Sequence, residues 1–168
     1  GYRLEHINQI QLVIETLKKN PFSRRMVVSA WNPGDFERPK DAPKRTVPPS
    51  ACHTIFMFYV TADRRLCCHL TQRSGDLMLG VPFNIASYST LTQMLAQEAG
   101  LGLGTYSHTI NDCHIYKNHL DGAREQITRY PLPLPTLKIA KKPFWDLQFE
   151  DFELVNYQSH PPIKFPIA

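Results

Sequence analysis

Gln72-Arg73-Ser74-Gly75-Asp76-Leu77-Met78-Leu79-Gly80-Val81-Pro82-Phe83-Asn84-Ile85-Ala86-Ser87-Tyr88 joins an apolar strand pattern before it to a helical pattern after it. Polar groups gathered at such a junction usually contact something. Arg73 can fork onto a phosphate or carboxylate with Ser74 donating beside it, while Gly75 and Gly80 let backbone come close. Asn84 carries two donors and an acceptor, a set that suits the edge of a nucleobase. The stretch reads as a site for an anionic small molecule. The plainer alternative is a polar strand end followed by a turn and a side-chain cap.

Outward from this stretch, the elements alternate. Before it, Thr54 to Val60 and Leu66 to Gln72 are β-rich runs separated by Ala62-Asp63-Arg64-Arg65, which predicts an antiparallel hairpin. That pairing brings the start of one strand to the end of the other, so Cys52 and Arg73 converge, and a nearby cation favours thiolate over thiol. A buried structural cysteine beside an ordinary histidine is the other reading of Cys52-His53. Cys67 and Cys68 fall mid-strand and read as structural. After the stretch, Ile85, Tyr88, Leu91, Leu95 and Ala99 recur at helical spacing, predicting a helix over 82–99 that stops at Gly100 and holds Asn84 in its first turn. Gly100 to Gly104 is assigned to a loop, because an isolated glycine-rich turn is weak evidence for phosphate binding.

At the amino end, Ile7, Ile10, Val13, Ile14 and Leu17 predict an amphipathic helix over 6–19, ended near Asn20-Pro21. Met26 to Trp31 is a strand candidate with Arg24 and Arg25 at its entrance. Residues 32–51 lack an apolar period and read as an exposed loop. Tyr106 to Tyr116 reads as a strand delivering His108, Asp112, His114 and Tyr116. With Cys113 and His119 these residues invite a metal reading, but no paired Cys-x-x-Cys or His-Glu-x-x-His frame supports it. A second helix over 118–129 follows, then strands at 136–139 and 151–157.

A chain of 168 residues with 42% hydrophobic content suits one globular domain or part of one. Its net charge of +4 is spread along the sequence, which favours small anions, and no polybasic or RNA-binding signature calls for nucleic acid. Four cysteines without a disulfide-scaffold spacing read as thiols of a reducing compartment, and no apolar run is long enough to span a bilayer. A cytoplasmic protein is expected. Alternating strands and helices without an internal repeat predict an α+β domain on a mixed sheet.

The quoted stretch closely resembles the nucleotide-binding core of folate-dependent thymidylate synthases. Ser23-Arg24-Arg25, Ser29-Ala30-Trp31-Asn32-Pro33, Cys52-His53, Asp112 to His119, Phe149-Glu150-Asp151-Phe152 and His160-Pro161-Pro162-Ile163-Lys164 stand in the family's order. The resemblance covers essentially the whole chain. It implies an α+β, sheet-to-sheet homodimer in which Cys52 adds to C6 of dUMP and 5,10-methylenetetrahydrofolate supplies the one-carbon unit and hydride. Arg73, Ser74 and, across the dimer, the partner's Arg24 and Arg25 are implied to hold phosphate. Asn84 is implied to hold the pyrimidine, His114 and Tyr116 the ribose, and Asp76 and Gly80 the folate. Metal is not part of this chemistry.

Departures from the family pattern are the longer stretch around Glu37 to Arg45, Ala51 in place of a proline, and Asn111 in place of a glycine. The family also has a segment before the first helix, with a proton-transferring glutamate, so the chain is expected to be a domain incomplete at its N-terminus and inactive alone. A uridylate hydroxymethylase of the same superfamily, or a non-catalytic nucleotide-binding and dimerising relic, are the alternatives.

Overall fold

The computed structural model describes residues 7–32 and 51–166. The expectations for the stretch 33–50, including its extra length, lie outside the described residues. Helix α1 (Gln9–Lys19) begins where the Asn8 side chain accepts from the Gln11 N–H at 3.0 Å. It ends at Asn20, whose N–H donates to the Thr16 carbonyl, with Pro21 next and Lys18 and Lys19 in the last turn. Its inner face buries Val13, Ile14 and Leu17. Lys18 pairs with Glu98, and this contact holds the Glu98 carboxyl below its usual range.

Four strands form one mixed sheet: β1 (Val27–Ser29), β2 (His53–Val60), β3 (Arg65–Asp76) and β4 (Gly102–His114), in the order β1-β2-β3-β4. The first two neighbouring pairs are antiparallel and β3 with β4 is parallel. A parallel pair needs a crossover, which helix α2 (Gly80–Glu98) supplies. Val28, Phe56, Phe58, Leu66, Cys68 and Leu70 meet α1 and the Tyr88, Leu95 and Ala96 face of α2 in one core. The alternate positions of the same strands include Val27, Met57 and Tyr59, which stay exposed among the described residues.

Helix α3 (Leu120–Gln126) follows a 3-10 turn over Lys117–His119, and is shorter than the expected helix. Strands β5 (Thr136–Ile139) and β6 (Phe152–Val155) make a separate antiparallel pair. The Gln93 and Gln97 amides of α2 hold the carbonyls of Leu137 and Ala140, each at 2.8 Å.

Two boundaries differ from expectation for non-local reasons. Strand β3 does not stop at Gln72 but continues to Asp76, because β4 pairs Ser74 with Asp112, Gly75 with Cys113 and Asp76 with His114. Gly102 and Gly104 lie in β4, not in a loop. A Cβ at Gly104 would stand 2.4 Å from Cys67 Sγ and 2.8 Å from the Leu66 carbonyl oxygen, so the two strands close only over a glycine. The local pattern assigns these glycines to a loop, whereas they serve close approach between two strands. Asn111 sits in regular β4 and takes no positive φ, so its departure from glycine leaves the strand intact.

Gly104→Ala should destabilise the fold by roughly 1–3 kcal/mol, as overpacking does. Gly102→Ala should cost less, because its nearest neighbour is the flexible Arg65 Cγ at 3.1 Å. Urea unfolding of the two variants checks the order.

Candidate active site

Cys52 stands just before β2, and Arg73 lies opposite it on β3, one step beyond the pairing of His53 with Gln72. The Arg73 main-chain N–H donates to the Cys52 carbonyl at 2.9 Å, and its Nε donates to the Ala51 carbonyl at 3.0 Å. The guanidinium is thereby aimed, with Nη2 3.5 Å from Cys52 Sγ. The Trp31 ring lies beneath the same guanidinium, 5.9 Å from ring centroid to Cζ, within cation–π range. The expected meeting of thiol and cation is present, although Arg73 sits inside β3 and not at its end. His53 Nδ1 lies 3.1 Å from the Tyr88 hydroxyl on α2. Burial pushes the Tyr88 phenol up to about 12, so it stays a neutral partner.

Gln72 was not singled out by the sequence reading, yet it organises the neighbouring groups. Only 3% exposed, its Nε2 donates to the Ser74 carbonyl at 2.8 Å and to Asn84 Oδ1 at 3.1 Å. A carbonyl only accepts, so the nitrogen of the Gln72 amide must face Ser74, and its oxygen must face His108 Nε2 at 2.9 Å. His108 therefore carries its proton on Nε2. Burial, reinforced by the charges of His53 and His69, depresses the His108 pKa and favours the neutral ring. By the same logic Asn84 turns its oxygen to Gln72 and its NH2 group away. Period two does carry a signal for Gln72, since it continues the inward series Leu66, Cys68, Leu70 as a polar residue at a core position.

Asn84 opens the second turn of α2 and not the first, because the helix begins at Gly80. Gly80 lies between two site groups: a Cβ there would be 3.8 Å from both Asn84 Oδ1 and the Asp76 Cβ. Asp76 Oδ1 accepts from the Met78 N–H at 3.0 Å, and Asp76 pairs with His114 across the β3–β4 ladder. His114 packs edge-on against Tyr116, with centroids 5.1 Å apart. Cys52, Arg73, Ser74, Asp76, Gly80, Asn84, His114 and Tyr116 thus gather at one end of the sheet. Beside them an apolar groove of about 350 Å³ opens between α2 and α3, lined by Leu77, Met78, Val81, Ile85, Ile115 and Ile127 among others.

Arg24 and Arg25 are not part of that gathering. Antiparallel pairing sets Val27 opposite Met57 and Ser29 opposite Ile55, so the residues before Val27 lie toward the Val60 end of β2. At about 3.3 Å per residue that end is on the order of 20 Å from Cys52. Both arginines are exposed. Among the described residues no group of three or more His, Cys, Asp and Glu side chains is placed to hold a metal ion, and no helix is long and apolar enough to cross a membrane.

At this sheet end of an α+β chain a cysteine and an arginine lie in contact beside a hydrogen-bonded amide pair, the buried Gln72 and the half-buried Asn84, an arrangement that can set a nucleophile next to an anion-binding group. The chain belongs to the thymidylate synthase family: the family model described as Thymidylate synthase matches residues 2–168. It is 52% identical over 173 residues to a thymidylate synthase of Francisella philomiragia, an alignment that covers 98% of this chain and 62% of that relative. The chain therefore spans just under two thirds of the relative's length.

The depressed pKa of His108 has a definite sign in stability. As pH falls through about 6.5, the ordinary histidine value, the unfolded chain takes up a proton that the folded site resists. Stability present above that pH is lost toward lower pH until the folded ring is protonated as well. His108→Gln keeps an N–H for Gln72 and should flatten this part of the stability curve on the acid side of about pH 6.5. Unfolding titrations in that window decide it, and an unchanged slope assigns the loss to other groups.

Proposed function

We propose that this chain carries the nucleotide-binding and nucleophilic part of a thymidylate synthase that converts dUMP to dTMP. The observation that carries the reading is the 3.5 Å contact of Arg73 Nη2 with Cys52 Sγ, made by a guanidinium already anchored on the Ala51 carbonyl. In this reading Cys52 Sγ forms a bond to C6 of the uracil and makes C5 a carbon nucleophile. Arg73 accompanies the sulfur's negative charge and, with Ser74, receives the phosphate. Asn84, held through its oxygen by Gln72, presents its NH2 group to the pyrimidine edge. His114 and Tyr116 take the ribose. Folate fits the remaining surface, since Asp76 offers a carboxylate to the pterin beside Gly80 and the apolar groove suits a flat ring system. When bound, methylenetetrahydrofolate supplies the one-carbon unit and the hydride.

A homodimer completes the proposal. Arg24 and Arg25 are too far from Cys52 of their own chain to serve it, because an arginine side chain reaches well under the strand length between them. The exposed Val27, Met57 and Tyr59 on the sheet face opposite the core offer an apolar contact for a second copy. Sheet-to-sheet pairing about a two-fold axis would carry the partner's arginines to the phosphate. No disulfide joins Cys52, Cys67, Cys68 and Cys113, which fits the reducing compartment of a cytoplasmic location.

Cys52→Ser should lower turnover by a factor on the order of 10³ or more while dUMP affinity survives, because the phosphate and base contacts lie on other residues. Steady-state kinetics with a dUMP binding titration test it, and wild-type turnover in the variant would refute the nucleophile.

Sharing across the interface has its own test. In the natural full-length protein, an Arg24→Ala/Arg25→Ala subunit mixed with a Cys52→Ala subunit should form heterodimers with one intact site. Activity should recover to about half that of wild type per heterodimer, although each parent is impaired. No recovery after verified subunit exchange places both arginines outside the partner's site.

A further inference from the structure

Arg64 is a poor residue for the place it occupies. It takes φ +60° in the turn between β2 and β3, one of two non-glycine residues with positive φ among the described residues. The other, Asn156, is of a type that enters this region readily, whereas an arginine Cβ is crowded there and a glycine would be free. The main chain holds Arg64 from both sides: its N–H donates to the Thr61 carbonyl at 2.9 Å, and its carbonyl accepts from the Gly102 N–H at 3.0 Å. Its side chain is exposed and makes no ion pair or hydrogen bond among the described residues. Asp63, the neighbouring carboxylate, is already engaged, since Arg65 Nε donates to its Oδ2 at 2.7 Å. An outlier of this kind points to a use for the side chain elsewhere.

The turn lies at the same end of the sheet as Arg24 and Arg25. β1 keeps its antiparallel register past Val27, since the Phe58 N–H donates to the Met26 carbonyl at 2.9 Å, so Arg25 and Arg24 follow at the level of Tyr59 and Val60. Arg64 stands just beyond the pair Val60 and Leu66, where β2 turns into β3. From β1 to β3 is two strand spacings, about 10 Å, a gap that two arginine side chains can close on one small anion. Arg24, Arg25 and Arg64 are all exposed, and no carboxylate pairs with them among the described residues. Three cations distant in sequence thus share one sheet end, and like charges so placed repel until an anion lies between them.

We propose that Arg64 is a third phosphate-binding arginine supplied across the dimer, acting with Arg24 and Arg25 on the nucleotide phosphate in the second copy's site. The inference rests on the reading that Arg24 and Arg25 are donated between copies. A pairing that carries them to the other chain's Arg73 carries the β2–β3 turn as well, because all three arginines stand at one end of one hydrogen-bonded sheet. A phosphate has oxygens enough for several guanidinium groups, and each contact is a charge-assisted hydrogen bond. The left-handed backbone holds Arg64 at the hairpin tip, beyond the last β2–β3 pair.

The test uses the natural full-length protein with dUMP and with deoxyuridine, which lacks the phosphate. Arg64→Gly keeps the turn, since glycine takes this φ freely, so urea unfolding should show no loss of stability. The dUMP Kd should rise roughly tenfold, the scale of one hydrogen bond to a charged group, and should depend less steeply on added salt, while deoxyuridine binds as to wild type. Arg64→Lys, which keeps the charge without the fork, should recover part of the loss. Mixing Arg64→Gly with Cys52→Ala subunits assigns the donor, because the only reactive site of that heterodimer borrows Arg64 from the Cys52→Ala chain. Its KM for dUMP should return to the wild-type value. An unchanged dUMP Kd in Arg64→Gly overturns the proposal, as does an equal loss for deoxyuridine or a KM that stays raised after verified subunit exchange. Wild type that binds no dUMP would sink the functional reading and this proposal together, a result distinct from each of the others.

Discussion

The overhang of β3 beyond β2 is the constraint on which the site depends. Up to Gln72 the strand is paired on both edges, and from Ser74 to Asp76 its ladder partner is β4. A strand that lost β2 with no other partner would end there, since unpaired main-chain groups need a substitute. The parallel ladder to β4 carries it four residues past Gln72, and these residues include Arg73, Ser74 and Asp76. Gly75 allows the overhang to be approached from two sides: a Cβ there would meet Ile110 and Val81, each at 3.0 Å. Chemistry-bearing side chains are therefore mounted on a sheet and not on a loop, which limits the freedom they lose when a ligand arrives.

The inward series of β3 ends in a polar residue, and that choice would be costly without partners. Burying an amide unpaired is unfavourable by about 1–3 kcal/mol. Gln72 meets the demand with the Ser74 carbonyl, Asn84 and His108, so its amide has one allowed orientation. Orientation then passes outward, because a fixed Gln72 nitrogen fixes the Asn84 oxygen. A surface asparagine would turn freely. Here the face turned away from Gln72 is set by the Ser74 carbonyl two residues along β3, a case of polar burial fixing orientation.

Much of this was legible in local pattern, and the exceptions share a cause. Helix α1, the β2–β3 hairpin and the core of α2 follow from the period of Val13, Ile14 and Leu17, from the alternation of Phe56 and Phe58, and from the spacing of Tyr88 and Leu95. The extension of β3 to Asp76 and the strand character of Gly102 and Gly104 did not follow, because both are decided by the β3–β4 pairing of residues about 38 positions apart. Local sequence at Arg73-Ser74-Gly75-Asp76 reads as a strand end, and at Gly100 to Gly104 as a loop. Gln72 was visible but unread, a polar residue in an apolar series. Roles for Arg24, Arg25, His114 and Tyr116 came from the family resemblance alone, since exposed arginines and a histidine near a tyrosine carry no assignment by themselves.

Two kinds of arginine enter the proposed phosphate site. Arg73 is tethered twice, by its main-chain N–H to Cys52 and by Nε to Ala51, so little side-chain freedom remains for a ligand to remove. Such a group gives position, and in the proposed site its contact with the sulfur would make it common to the phosphate and the nucleophile. Arg24 and Arg25 stand exposed before β1, where long side chains keep their rotamers until something orders them. Supplying them from a second chain would join phosphate binding to assembly, because the ordering cost is met only where two sheets already meet. A site built this way would hold its nucleophile geometry within one chain and make its full charge conditional on the pair.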